Sequence, residues 1–180
     1  RSVQPYIEIM DCTLRDGEQT SGVSFLPHEK LMIARMLLRD VNVDRIEVAS
    51  ARVSEGEKDA VKMICRYARQ IDKLENVEVL GFVDGNKSVD WICECGGKTI
   101  NLLTKGSLKH CMQQHGKTVE EHVADIKKSI EYAVSKGLNV NIYLEDWSNG
   151  MKDSPDYVYE LMDALVDTPI KRFMLPDTLG

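Results

Sequence analysis

The chain has 180 residues, 43% of them hydrophobic, which is ample for the core of one domain. Lys and Arg number 23 against 29 Asp and Glu, and the resulting net charge of −6 excludes the basic field that binding a nucleic-acid backbone requires. No apolar run approaches the roughly 20 residues of a membrane-spanning helix, the N-terminal residues lack the apolar stretch of a secretory signal, and the five scattered cysteines read as reduced thiols, so a soluble, cytoplasmic protein is expected.

Strands and helices then alternate along the chain. Residues 6–10 (Tyr-Ile-Glu-Ile-Met) read as a first strand and run into an aperiodic polar loop over 11–22. Residues 26–41 carry Leu31, Ala34, Leu38 and Val41 at helical spacing, with Pro27 where a first-turn proline is tolerated. Residues 45–50 form a second strand, and Val61, Ile64, Ala68 and Ile71 mark a second helix. A third strand over 77–83, a short helix over 87–95 and a fourth strand over 99–104 follow. Thr118 and Glu121 make a capping box before Val119, Val123, Ile126, Ile130 and Ala133, and Gly137 supplies the stop. Residues 140–144 form a fifth strand, Ser154-Pro155 opens a helix with Val158, Leu161 and Leu165, and 171–175 make a sixth strand. Met32, Met36 and Met63 read as core filler.

Six β/α steps imply a parallel sheet, because parallel strands need crossover helices. An eight-fold barrel takes about 250 residues, or about 30 per unit, so six units fill this length. The chain is therefore expected to be either an open doubly wound sheet or part of a barrel.

In either architecture the loops after the strands share one rim where ligands bind. That rim gathers Asp11, Asp16, Glu47, Asp84, Glu145, Asp146 and Asp177, a set that would repel itself without a cation or basic partners. Arg15 is one such partner and a hard divalent metal ion the other. Asp84 and Asp146 read more simply as helix caps or solvated acids. Glu47 lies inside an otherwise apolar strand and needs a counter-charge, which predicts an Arg15–Glu47 ion pair. Competing motifs are weaker: Gly97-Lys98-Thr99 lacks the earlier glycine of a phosphate loop, no G-x-G-x-x-G is present, and His110, Cys111 and His115 read as packing or surface groups.

The loop segment Asp11-Cys12-Thr13-Leu14-Arg15-Asp16-Gly17-Glu18-Gln19 closely resembles the D-x-T-L-R-D-G-x-Q signature of the DRE-TIM metallolyases. Arg45-Ile46-Glu47-Val48, Leu144-Glu145-Asp146 and Leu175-Pro176-Asp177-Thr178-Leu179-Gly180 resemble further motifs of that superfamily in order and spacing. The resemblance implies a TIM (β/α)8 barrel of which this chain, as the N-terminal portion of the catalytic domain, carries the first six units. Strands seven and eight, with an H-x-H motif and an asparagine that complete the metal site, would lie outside it, as would any regulatory domain.

By motif position the resemblance makes Asp16 a ligand of a divalent metal ion (Mg, Mn or Zn). It makes Arg15 the group that neutralises developing oxyanion charge, Glu47 the acid that orients Arg15, and Glu145 an acid near the substrate. Arg15, Gln19 and Thr178 become substrate-binding residues. The implied activity is that of a 2-isopropylmalate synthase type acyltransferase, condensing acetyl-CoA with a 2-oxo acid such as 2-oxoisovalerate and hydrolysing the thioester, in leucine biosynthesis. Homocitrate or citramalate synthase and a 3-hydroxy-3-methylglutaryl-CoA lyase type of carbon–carbon lyase are the alternatives. Ser50-Ala51-Arg52 and residues 102–107 depart from the synthase pattern, so the identity of the acid stays open. The implied partners are these small molecules and a second copy in a homo-oligomer, and the fragment alone is expected to be inactive.

Overall fold

The computed structural model describes residues 5–180, the His115 side chain apart. Six parallel strands run in sequence order across one sheet: β1 (Met10–Asp11), β2 (Arg45–Ser50), β3 (Val77–Phe82), β4 (Thr99–Lys105), β5 (Asn139–Glu145) and β6 (Arg172–Met174). The helices are α1 (Pro27–Arg35), α2 (Glu55–Gln70), α3 (Lys87–Glu94), α4 (Leu108–His115), α5 (Val119–Ser135), α6 (Trp147–Asp153) and α7 (Pro155–Leu165). Consecutive strands that pair in order around a curving sheet are the architecture of a partial (β/α)8 barrel, and the doubly wound alternative is set aside.

The central strands are ordinary consequences of pattern. Ile46 and Val48 of β2, Val77 and Val79 of β3, Ile100 and Leu102 of β4, and Val140, Ile142 and Leu144 of β5 face the helices at 1% exposure or less, packed with Ile64, Ile126, Ile130 and Leu161. Apolar strand faces covered by amphipathic helices supply the main driving force for this sheet. Helix α5 begins at the expected capping box, with the Thr118 Oγ1 accepting from the Glu121 N–H at 3.2 Å and Glu121 accepting from the Thr118 N–H at 3.0 Å.

Four expectations change. The first strand contributes only Met10 and Asp11 to the ladder, and Tyr6, Ile7 and Ile9 are exposed. Asp44 intercepts the chain there: its carboxylate takes the Ile9 N–H at 2.8 Å, while the Ile9 carbonyl accepts from the Asp44 and Arg45 N–H groups. The helix over 26–41 is α1 followed by a wider turn, Met36–Val41, that ends at left-handed Asn42 (φ 58°). Met32 and Met36 are exposed instead of filling the core. Finally, α4 and α6, two short helices on the rim, escaped the sequence pattern altogether.

The rim loops of β4 and β5 are locked backbone to backbone. Gly106 donates its N–H to the Glu145 carbonyl at 2.7 Å, and a Cβ on Gly150 would sit 1.9 Å from the Gly106 carbonyl oxygen. No side chain fits there, and the close approach fixes where Glu145 leaves its strand.

Candidate active site

Strand alternation gives the sheet a second, inward face. Register places Glu47 beside Glu78, Asn101 beside Asn141, Leu103 beside Tyr143, and Lys105 beside Glu145. The lumen is therefore polar at its floor, apolar in a collar above, and ionic at the rim. A cavity of about 500 Å³ opens at that rim, lined by Arg15, Asp16, Gln19, Ser50, Leu80, Phe82, Leu103, Tyr143, Glu145 and the 176–178 loop. The sequence-predicted residues Arg15, Asp16, Gln19, Glu145 and Thr178 all reach it, and Glu47 lies beneath.

Arg15 projects from the loop after β1, where the Arg15, Asp16 and Gly17 N–H groups turn back onto the Cys12 carbonyl. Its Nε donates to Glu47 Oε1 at 2.5 Å, and its Nη1 to Asp16 Oδ1 at 3.2 Å. The expected Arg15–Glu47 pair is thus present. Glu47 is fully buried, and its other oxygen accepts from Asn101 Nδ2 at 2.6 Å. Burial raises the Glu47 pKa, with Arg15 and Asn101 opposing that rise. Burial likewise works against the Arg15 charge, but Glu47 overrides it by charge and hydrogen bond, so the guanidinium stays protonated. Burial pushes the Tyr143 hydroxyl up as well, which keeps it a neutral phenol, and lifts the Cys12 thiol to about 11, ruling it out as a thiolate nucleophile near neutral pH.

The loop is also tied from outside. Lys30 of α1 is 2% exposed and sits between Glu18 and Glu57, with Glu57 Oε2 at 2.6 Å; Glu18 also accepts the Phe25 N–H at 3.1 Å. Glu18 lies between Asp16 and Gln19, so this buried cation anchors the segment that carries both. At the opposite wall Glu145 pairs with Lys105 at 2.5 Å. The Thr178 Oγ1 accepts the Asp146 N–H at 2.9 Å. A hydroxyl oxygen occupied as an acceptor leaves its own proton to donate, and Thr178 lines the cavity.

Asp84 accepts from the Ser88 N–H and Oγ and from Arg52, the capping role expected of it. Asp146 is buried rather than solvated, accepting from Ser107 and Asn149 as it starts α6. His110 faces Asp146 at 3.6 Å and Cys111 is buried, while the His115 side chain lies outside the described residues.

A side chain of the Asp16 type, 65% exposed and oxygen-donating, suits a hard divalent cation. Among the described residues no group of three or more His, Cys, Asp or Glu side chains is placed to hold one. Among the described residues Asp16 alone would therefore offer a single ligand to such an ion.

Sequence reasoning missed Lys30, Asn101, Asn141 and Tyr143. Lys30 falls four and eight residues before Ala34 and Leu38, so helical spacing already placed it on the buried face. Asn101 and Asn141 alternate with Ile100, Leu102, Val140 and Ile142, a signal that reads as solvent-facing unless the strand lines a barrel.

The HMGL-like family profile matches residues 6–180. The chain belongs to that family. It is 35% identical over 175 residues to a probable 2-isopropylmalate synthase from Ignicoccus hospitalis, covering 97% of this chain and 41% of that protein. It is 36% identical over 174 residues to a putative (R)-citramalate synthase from Methanopyrus kandleri, covering 97% and 32%. The chain spans about two fifths or less of these curated relatives. A hydroxymethylglutaryl-CoA lyase from Pseudomonas aeruginosa superposes with a TM-score of 0.75 over 97% of this chain and 58% of the lyase, at 16% identity. That likeness supports the barrel fold alone. Among the described residues no helix is long and apolar enough to cross a membrane.

Proposed function

We propose that this chain forms most of the active-site wall of an acyltransferase of the 2-isopropylmalate synthase type, one that condenses acetyl-CoA with a 2-oxo acid and hydrolyses the resulting thioester. The observation that carries the reading is Arg15 held at the cavity floor by a fully buried Glu47, with Asp16 exposed beside it. An arginine pinned by a carboxylate cannot swing toward solvent, and a fixed donor aimed at developing oxyanion charge stabilises a transition state without reorganising.

Each remaining residue takes a part. Asp16 would hold the divalent ion together with two histidines and an asparagine beyond these 180 residues, and the ion, when bound, polarises the 2-oxo carbonyl as a Lewis acid. Thr178 donates its free hydroxyl proton to the acid's carboxylate, and the Gln19 amide binds the same end of the substrate. Glu145, beside Lys105 on the cavity wall, is the strand-five acid near the substrate.

The collar narrows the choice of acid. Leu80, Phe82, Leu103 and Tyr143 form an apolar wall, and among the described lining residues Arg15 is the only Lys or Arg. Against that wall a distal carboxylate, as in 2-oxoglutarate, would find no cationic partner among the described lining residues other than Arg15. An aliphatic 2-oxo acid fits instead, with 2-oxoisovalerate first and pyruvate second, the latter favoured by the space the Tyr143 ring takes from the collar.

A CoA-release assay on the full-length protein tests this with acetyl-CoA and Mg²⁺, Mn²⁺ or Zn²⁺ against pyruvate, 2-oxoisovalerate and 2-oxoglutarate. Release with one aliphatic acid is expected. Release only with 2-oxoglutarate refutes the substrate assignment, and cleavage of a 3-hydroxyacyl-CoA without any condensation refutes the synthase reading.

A further inference from the structure

Beneath the cavity the lumen holds three hydrogen bonds, running from Arg172 to Glu47, whose donors all point the same way. On β6, Arg172 Nη1 donates to Asn141 Oδ1 at 3.5 Å. Asn141 Nδ2 donates to Asn101 Oδ1 at 2.9 Å, and Asn101 Nδ2 donates to Glu47 Oε2 at 2.6 Å. Glu47 Oε1 then receives Arg15 Nε. Asn141 also donates to Glu78 Oε1 at 3.3 Å, and Arg45 grips both Glu78 oxygens, at 2.5 and 2.8 Å. Glu47, Glu78, Asn101 and Asn141 are all 1% exposed or less.

We propose that Asn101 is a positioning residue for the reaction, one that orients the Glu47 carboxylate and through it aims the Arg15 guanidinium into the cavity. This rests on the condensation reading above and extends it to a side chain that touches no substrate. The direction of the Asn101 amide is not free: its oxygen is taken by Asn141, so its NH₂ must face Glu47. Asn141 is fixed in turn because Arg172 requires its oxygen. Two neutral amides thus transmit a fixed polarity from a cation on β6 to an anion on β2, and hydrogen bonds arranged head to tail reinforce one another.

Without Asn101, Glu47 would keep one partner, Arg15, for two buried oxygens. A buried carboxylate with an unpaired oxygen is costly, and the carboxyl would rotate or take up a proton, either of which releases Nε of Arg15. The other groups facing Glu47 offer no replacement donor of equal standing. Glu78 on β3 is a like charge, Cys12 in the loop after β1 is a weak donor, and the Tyr143 hydroxyl on β5 is already engaged with Arg15.

The test uses the full-length protein with two variants. Asn101→Leu removes the donor at similar volume. A fall in kcat of about 10–100-fold is expected, with KM for both substrates within about threefold of wild type, because the loss falls on charge that develops in the transition state. A crystal structure of that variant should show Arg15 Nε out of hydrogen-bond reach of Glu47. Asn101→Asp keeps the shape but donates only while one proton is shared between the two carboxyl groups. Its kcat should fall as pH rises from 6 to 8.5, relative to the wild-type profile, and recover toward wild type at the acid end. That pH signature also decides the matter should Asn101→Leu fail to fold, since a purely structural role would not produce it. Unchanged kcat in Asn101→Leu, an intact Arg15–Glu47 bond in its crystal structure, or parallel pH profiles for wild type and Asn101→Asp would each overturn the proposal. If wild type releases CoA with none of the acids, the functional reading falls, and the crystal structure alone judges the positioning claim.

Discussion

Ile142 and Asn141 are adjacent in β5 and both are wholly buried, yet they live in different chemistries. Ile142 faces the helices, where nothing but apolar surface surrounds it, and its burial is favourable whatever its neighbours' orientation. Asn141 faces the lumen, where burial is tolerable only because each of its amide atoms has a partner. The same contrast holds for Ile46 against Glu47 and for Ile100 against Asn101. Stability is thus assigned to one face of the sheet and the placement of charge to the other, so substitutions on the two faces should separate folding from turnover.

The largest expected effect is on the helix face. Ile142→Ala should cost about 2–5 kcal/mol of unfolding free energy, the usual range for emptying a packed core site. Denaturant titration measures it, and kcat per folded molecule should stay near wild type. A large loss of kcat with unchanged stability would break the contrast between the faces.

A smaller effect is expected at the lumen floor. Glu78→Gln keeps the shape but withdraws the charge that Arg45 grips, leaving a cation 12% exposed with only an amide oxygen for a partner. A loss of about 1–3 kcal/mol should follow, as expected when a buried charged hydrogen bond is weakened. Because Asn141 loses part of its fixed environment, kcat should fall as well, and less than in Asn101→Leu. Turnover measured beside thermal unfolding checks both halves.

The contrast also explains what the sequence reveals. Residues 45–50 and the Thr118 cap were legible because apolar alternation and capping chemistry are local, and the motifs marked the site because Arg15, Asp16, Glu145 and Thr178 sit in short runs at the rim, while Glu47, expected there too, lies beneath the cavity inside β2. The extent of β1 was not legible, since whether residues 6–9 join a ladder depends on Asp44, far along the chain, capturing the Ile9 N–H. Nor were Asn101 and Asn141, because a polar residue alternating with apolar ones reads as solvent-facing, and only closure of the sheet around a lumen turns that face inward. Lys30 escaped for the same reason in a helix: its burial is sensible only once Glu18 and Glu57 are known to meet it.

The smallest predicted effect concerns pH, where the stability and the turnover that depend on the lumen face pull in opposite directions. Burial holds the Glu47 carboxyl above its ordinary value of 4.5, so the folded protein binds this proton more tightly than the unfolded chain. This group therefore adds stability that is fully present below the unfolded value and is withdrawn as pH rises through the folded one. Glu57, also raised by burial against the pull of Lys30, behaves alike. Asp44 and Asp125, held low by hydrogen bonds from Tyr6 and Lys117, have the opposite sign, but their contribution is lost only as pH falls below the ordinary aspartate range. Turnover depends on the other form of Glu47: only the anion holds Arg15. As pH falls on the acid side, kcat of the full-length enzyme should therefore decline with a midpoint above 4.5 while the melting temperature holds or rises. An acid limb that coincides with unfolding would show that the lumen face, like the helix face, governs stability rather than charge.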